Sequence, residues 1–221
     1  IRSFRSEKVA DFVKATLDCD TATAQKLYRD VSQTYPIYVT RNIQLAKSWL
    51  RAKARGSERY GLLASSGALR LKSFGLQVQH AIDPVYWFLN DPSDVRSSCF
   101  LEDVATEFDV QGLELDWTCV AWDADLRYDG IQWLHRCFKG TKWQTVKNQD
   151  AKRYLKNAYR VLLTRARQGM IIFVPQGCAD DPTRLPELYD PIFEYLIELG
   201  VVELGALASC DDPCSFDPLL A

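Results

Sequence analysis

The 221-residue sequence contains one methionine, two histidines and no loop of the form GxxxxGK[ST]. Without that loop, no segment offers the backbone amides, lysine and hydroxyl that together hold nucleotide phosphates and Mg²⁺. The histidines, His80 and His135, lie far along the chain from the polar segments described below. The sequence therefore excludes a self-contained nucleotide-phosphate site and offers no Ser/His/Asp or Cys/His nucleophilic arrangement.

The seven cysteines are odd in number and lack metal-binding spacing. Cys210 and Cys214 come nearest, but a lone CxxxC is a weak signal, so we expect free thiols and no metal site. No apolar run is long enough to span a membrane and no secretory segment is present, which predicts a cytoplasmic protein with no membrane partner. Because the chain begins at Ile1 and its one methionine is Met170, we expect a fragment of a longer protein.

Charge is distributed unevenly along the chain. Residues 177–221 carry ten acidic side chains and one basic side chain, a charge of −9, whereas residues 1–176 carry 26 basic and 19 acidic side chains, a charge of +7. A mildly basic body allows a polyanion partner without requiring one. We expect residues 1–205 to form one domain and residues 206–221 to form an acidic, poorly ordered tail.

Apolar runs alternate with helical patterns, which predicts an α/β fold with a mostly parallel sheet flanked by helices. Strands are predicted at 36–40, 60–64 and 118–122, and a long helix over 150–167 precedes the most apolar strand, 170–174. A shorter helix is predicted to open at 65–67 and another to cover 186–200. The aromatic segment 123–148 shows no clear periodicity, so we predict no element there.

The most specific polar segment is 159–167, Tyr-Arg-Val-Leu-Leu-Thr-Arg-Ala-Arg, between the long helix and the apolar strand. An arginine at a helix end beside a sheet can be held rigidly over a phosphate site of a neighbouring domain. There its planar fork spreads charge across the oxygens of a transferring phosphoryl group. Arg165 is one candidate for such an arginine. The alternative is that Arg160, Arg165 and Arg167 form a solvated basic helix face.

A second segment, 105–116, reads Ala-Thr-Glu-Phe-Asp-Val-Gln-Gly-Leu-Glu-Leu-Asp. Gly112 permits a tight turn and close approach of the backbone to a ligand. Glu114 and Asp116 before a strand would also suit a metal-dependent nuclease. Such sites need a further acid and a Glu-x-Lys pattern on a following strand, and the later acids have no such lysine: Asp123, Asp125 and Asp129.

The chain opens with Ile-Arg-Ser-Phe-Arg-Ser ahead of a helix predicted over 9–17. Arg2 and Arg5 each precede a serine, and the distance from Arg5 to the apolar helix face favours Arg5 over Arg2 as the candidate. The alternative is an exposed basic terminus.

Together these segments resemble motifs IV, V and VI of superfamily 1 helicases, and the Schlafen group-3-like DNA/RNA helicase family over roughly residues 1–200. The resemblance implies a second, C-terminal RecA-like domain that completes a composite ATP site. It implies a catalytic role for Arg165 and Arg5 and ATP contacts from Gln111, Gly112, Glu114, Arg2 and Arg167. Thr106 would contact a nucleic-acid phosphate. One position departs from the family pattern, because Phe108 stands where His or Asp is common.

The same resemblance implies ATP and Mg²⁺ as ligands, bound mainly by an N-terminal RecA-like domain of the same protein, and single-stranded DNA or RNA as partner. The amides of Ser65 and Ser66, at a predicted helix start, are candidates for a nucleic-acid phosphate. Basic residues interleaved with aromatics, as in 133–147, also suit single strands through stacking, although tryptophans in a mixed fold are more often core residues. The alternative function is a non-catalytic module that binds nucleic acid or protein.

Overall fold

The computed structural model describes residues 2–205, with side chains from Ser6 onward. Its helices are α1 (Arg2–Leu17), α2 (Thr21–Val31), α3 (Ile43–Lys53), α4 (Pro84–Leu89), α5 (Gln149–Leu163) and α6 (Asp190–Glu198). Short 3₁₀ helices cover Leu69–Phe74, Ser98–Phe100 and Pro186–Leu188. The predicted tail, 206–221, and the side chains of Arg2 and Arg5 lie outside the described residues.

Nine strands form two sheets in the described part of the chain: β1 (Ile37–Thr40), β2 (Tyr60–Ala64), β3 (Val104–Ala105), β4 (Leu115–Ala121), β5 (Leu126–Tyr128), β6 (Trp133–Lys139), β7 (Lys142–Thr145), β8 (Ala166–Phe173) and β9 (Val202–Glu203). The main sheet has the order β3-β2-β4-β8-β1-β9, and all its neighbouring strands pair in parallel. The predicted α/β fold, with the mostly parallel sheet of a RecA-like domain, is confirmed.

Helices cover both faces of the main sheet. Along β8, Met170 and Ile172 join a core with residues of α1, α2, α5 and α6. Ile171 and Phe173 face the other way and join a core with α3 and the 3₁₀ helix Leu69–Phe74. Because successive strand residues point to opposite faces, a strand buried on both sides has a continuous apolar sequence. This is why the second half of β8, residues 170–173, is continuously apolar.

The segment 123–148, for which no element was predicted, contains the antiparallel sheet β5-β6-β7. Lys139 pairs with Lys142 across a turn at Gly140, whose positive φ of 60° suits a tight hairpin. Apart from the buried Trp133, most of its side chains are half-buried or exposed. The usual alternation of apolar and polar residues is therefore weak in the sequence.

The predicted boundary between the long helix and the apolar strand was wrong. Helix α5 ends at Leu163, and the hydroxyl of the next residue, Thr164, donates to the Arg160 carbonyl oxygen at 2.8 Å. Strand β8 begins at Ala166, just after the Arg165 carbonyl oxygen accepts the Leu115 amide. Arg165 therefore lies in the two-residue turn between helix and strand rather than within the helix.

Smaller differences concern the ends of other helices. Helix α1 begins at Arg2 rather than at residue 9, and the helix predicted to open at 65–67 is a 3₁₀ helix beginning at Leu69. The last predicted helix, 186–200, divides into a 3₁₀ turn and α6. No helix in the described range is long and apolar enough to cross a membrane.

Candidate functional site

The predicted site residues lie at opposite edges of the main sheet. Because its strands are parallel, all of them begin at one edge and end at the other. Gln111, Gly112, Glu114 and Arg165 precede β4 or β8, and we call this group the arginine edge. The residues that follow β2 and β3 lie at the other edge; we call the group of Ser65, Ser66, Thr106 and Glu107 the serine edge.

At the arginine edge, Arg165 is a half-buried cation with few partners. Its Nη1 donates to the Leu113 carbonyl oxygen at 3.0 Å, whereas its Nε is buried without a hydrogen-bond partner. Burial lowers the pKa of Arg165, and the nearby Glu114 carboxylate partly opposes that shift. Since Arg165 forms no ion pair with any described residue, its charge remains available to an anion from outside the domain.

The turn before β4 brings backbone close to this arginine. Gly112 has a φ of 78°, and no atom lies within 4 Å of the place where a Cβ would stand. The Leu113 amide donates to the Val110 carbonyl oxygen at 3.1 Å and closes the turn. Gln111, Gly112 and Glu114 are all exposed. The structure therefore brings Glu114 and Arg165 to one edge with open space beside them.

Arg167, also predicted to contact ATP, is exposed but already paired. Its Nη2 lies 3.1 Å from Oδ1 of Asp116, which also accepts from Gln168 at 3.1 Å. The other oxygen of Asp116 accepts the Arg59 amide at 2.9 Å. These bonds hold the first residues of β4 against β8. They also use the Asp116 carboxylate that a nuclease would need for a metal, and no metal-binding cluster occurs among the described residues.

At the serine edge, two carboxylates accept hydrogen bonds from the amides and hydroxyls that were predicted to hold phosphates. The amide and hydroxyl of Ser66 donate to Glu107 at 2.9 and 2.7 Å. The amide and hydroxyl of Thr106 donate to Asp109 at 2.8 and 2.7 Å. The structure thus brings Ser66 and Thr106 to one edge, but their donors are satisfied within the chain.

Beneath the serine edge lies a buried acidic pair that the sequence analysis did not assign to the site. Asp125 accepts the Tyr159 hydroxyl at 2.5 Å, and Asp123 accepts the Tyr189 hydroxyl at 2.8 Å. Burial and the neighbouring Asp123 raise the pKa of Asp125 to about 7, and burial also raises the pKa of Asp123. Two acids just after the predicted strand 118–122 are a signal that could have identified the pair.

Ser65 links this acidic pair to the serine edge. It is buried, its hydroxyl accepts the Gly67 amide at 3.1 Å, and its side chain partly opposes the rise in the pKa of Asp125. Its side chain is therefore part of the interior, whereas Ser66 next to it is partly exposed.

Comparison of the sequence with protein families gives one match. A sequence model described as Schlafen group 3, DNA/RNA helicase domain, matches residues 1–176. The chain belongs to this family and forms a helicase-related domain. No curated protein and no solved structure matches the chain.

Proposed function

We propose that this domain is the second, C-terminal RecA-like half of an ATP-driven superfamily 1 motor on DNA or RNA. In this proposal the phosphate loop and Mg²⁺ site lie in an N-terminal RecA-like domain of the same protein. Arg165 contributes the arginine that stabilises charge on the transferred phosphoryl group. Gln111, Gly112 and Glu114 contact the nucleotide, with Arg167, Arg2 and Arg5 as further contacts.

The observation that carries this proposal is the state of Arg165. A half-buried guanidinium with one bond to a backbone carbonyl and an unpartnered Nε is poorly compensated by its own domain. An anion from a facing domain would supply the missing charge and acceptors. The adjacent Gly112 turn leaves room for that anion's approach.

A second observation supports nucleic-acid binding at the serine edge. The amides and hydroxyls of Ser66 and Thr106 already bind carboxylate oxygens at 2.7 to 2.9 Å. A phosphate that displaced these carboxylates would meet hydroxyl and amide donors of the kind that commonly make protein–DNA contacts to phosphate.

ATP hydrolysis tests the proposal directly. We expect the 221-residue chain alone to hydrolyse no ATP, because its sequence has no phosphate loop. A protein that joins it to an N-terminal half with an intact phosphate loop should hydrolyse ATP faster when single strands are added. Mg²⁺-dependent hydrolysis by the chain alone would contradict the two-domain proposal. Strand binding by the two-domain protein without any hydrolysis would instead support a non-catalytic binding module.

A further inference from the structure

Two exposed aromatic rings stand together beside the serine edge. Phe108 follows Thr106 and Glu107 directly, and Tyr154 lies in the second turn of α5. Their ring centroids are 6.0 Å apart with an interplanar angle of 28°, a stacked arrangement. We propose that this pair, the aromatic platform, stacks on a base of a bound single strand. The inference rests on the proposed function, in that it assumes nucleic acid at the serine edge.

Exposure is the first argument for a ligand on these rings. Phe108 is 55% exposed and Tyr154 is 47% exposed, although large aromatic side chains contribute most to stability when buried. Single exposed apolar residues are ordinary on protein surfaces. Two exposed rings that are distant in the chain and already stacked on each other instead leave apolar ring surface against which a third ring can stack.

The orientation of the Tyr154 side chain is fixed by a hydrogen bond to Glu107. Its hydroxyl donates to Oε1 of Glu107 at 3.2 Å, and the same carboxylate holds the amide and hydroxyl of Ser66. Burial and the charge of Glu107 raise the pKa of Tyr154 to about 12, so the phenol remains a donor at neutral pH. The ring is therefore held at a set position relative to Ser66, and its orientation requires no ordering when a ligand binds.

The chemistry around the platform favours a nucleobase over other flat or apolar partners. Within two residues of Phe108, the Thr106 amide and hydroxyl already hold an oxyanion, that of Asp109. A single strand presents bases and phosphates alternately, and proteins bind it by combining aromatic stacking with contacts to the backbone. A membrane or an apolar peptide would use the rings but not these polar donors.

The experiment compares binding of fluorescein-labelled oligothymidylate with an abasic strand of equal length. For the 221-residue chain, we expect Phe108→Ala and Tyr154→Ala each to weaken oligothymidylate binding by about 5- to 150-fold, the range of stacking on one base. Neither variant should change binding of the abasic strand. Tyr154→Phe keeps the ring and should bind within a few-fold of the original. Tyr86→Ala, which removes an equally exposed ring on α4 (47%), is the matched control.

The outcomes distinguish base stacking on the aromatic platform from nucleic-acid binding at the serine edge. If the unaltered chain binds oligothymidylate and both alanine variants bind it equally well, the platform is wrong while nucleic-acid binding stands. An equal loss on the abasic strand would mean that the rings support the fold or the phosphate contacts, which also overturns stacking. If the unaltered chain binds neither strand, both the platform and the proposed nucleic-acid site fail.

Discussion

The two edges of the main sheet carry polar groups in opposite states. At the arginine edge, the Arg165 guanidinium lacks an ion pair within the described chain, and its Nε has no partner. At the serine edge, Ser66 and Thr106 are bonded to Glu107 and Asp109. A ligand at the first edge would add interactions that the domain lacks, whereas a ligand at the second would have to replace interactions already formed.

Helix α5 joins these two edges. Tyr154 and Tyr159 contact the acids of the serine edge and of the buried pair beneath it. Arg165 follows the other end of the same helix, two residues after Leu163. A single helix thus connects the proposed strand-binding groups with the proposed catalytic arginine. A shift of this helix would therefore move groups at both edges.

The largest effect should follow from removing the unpaired arginine. In the two-domain protein, we expect Arg165→Ala to lower kcat for ATP hydrolysis by about 10³-fold or more, as for other arginines that act on a transferring phosphoryl group. ATP affinity should change little, because the interaction strengthens as charge develops in the transition state. Steady-state kinetics with a separate nucleotide-binding measurement would test this.

The control for that variant lies at the other end of the same helix. Arg153 is exposed and pairs with Asp150, so Arg153→Ala should leave kcat within a few-fold. Near-normal turnover in Arg165→Ala, or an equal loss in both variants, would show that Arg165 has no specific role in phosphoryl transfer.

A second prediction concerns the buried acid beneath the serine edge. Because the pKa of Asp125 is raised to about 7 in the folded chain, the folded state keeps a proton there that the unfolded state loses near pH 4. Folding stability should therefore fall as pH rises from about 4 to 7, by at most about 1.4 kcal/mol per pH unit. Asp125→Asn should reduce this slope, because an amide does not titrate in this range. The fold should be kept, since the amide oxygen can still accept a hydrogen bond from Tyr159.

Urea unfolding at several values between pH 5 and pH 8 would measure that slope. Asp129→Asn is a suitable control, because Asp129 is exposed and backbone hydrogen bonds lower its pKa rather than raise it. Identical pH profiles for Asp125→Asn and the unaltered chain would mean that Asp125 is ionised in the folded state over this range.

The sequence predicted the local geometry of the arginine edge better than that of the serine edge, for physical reasons. Gly112 and Arg165 belong to short local patterns, a turn and a helix end, and local patterns can be read from neighbouring residues. The bonds of the serine edge join residues distant in the chain, such as Ser66 with Glu107 and Asp125 with Tyr159. Such pairings depend on strand order, which periodicity does not specify.

The same reasoning explains the errors in the elements. Thr164, the residue that follows α5, is also tolerated within helices, so the local sequence did not show where the helix ends. The small sheet β5-β6-β7 was missed because most of its residues are only partly covered. For the small sheet, tertiary contacts decided between conformations that the local sequence allows.

The last prediction compares two glycines, one beside the open arginine edge and one within the sheet. At Gly169 a Cβ would stand 2.7 Å from Cζ3 of Trp117 and 2.8 Å from the Pro36 carbonyl oxygen, so Gly169→Ala should destabilise the chain by about 1–3 kcal/mol. Gly112 has empty space around it but a φ of 78°, so Gly112→Ala should cost about 1 kcal/mol through backbone strain alone.

The KM for ATP should rank the two glycine variants in the opposite order, with the larger change in Gly112→Ala. The new methyl at residue 112 would project into the space through which the proposed nucleotide approaches, so it should raise KM for ATP in the two-domain protein. The methyl at residue 169 should leave KM nearly unchanged, because it lies between Trp117 and Pro36. Urea unfolding and steady-state kinetics on both variants provide the test. If Gly112→Ala loses about 1 kcal/mol of stability and keeps its KM, the turn before β4 is a structural feature, and the nucleotide must approach Arg165 from another direction.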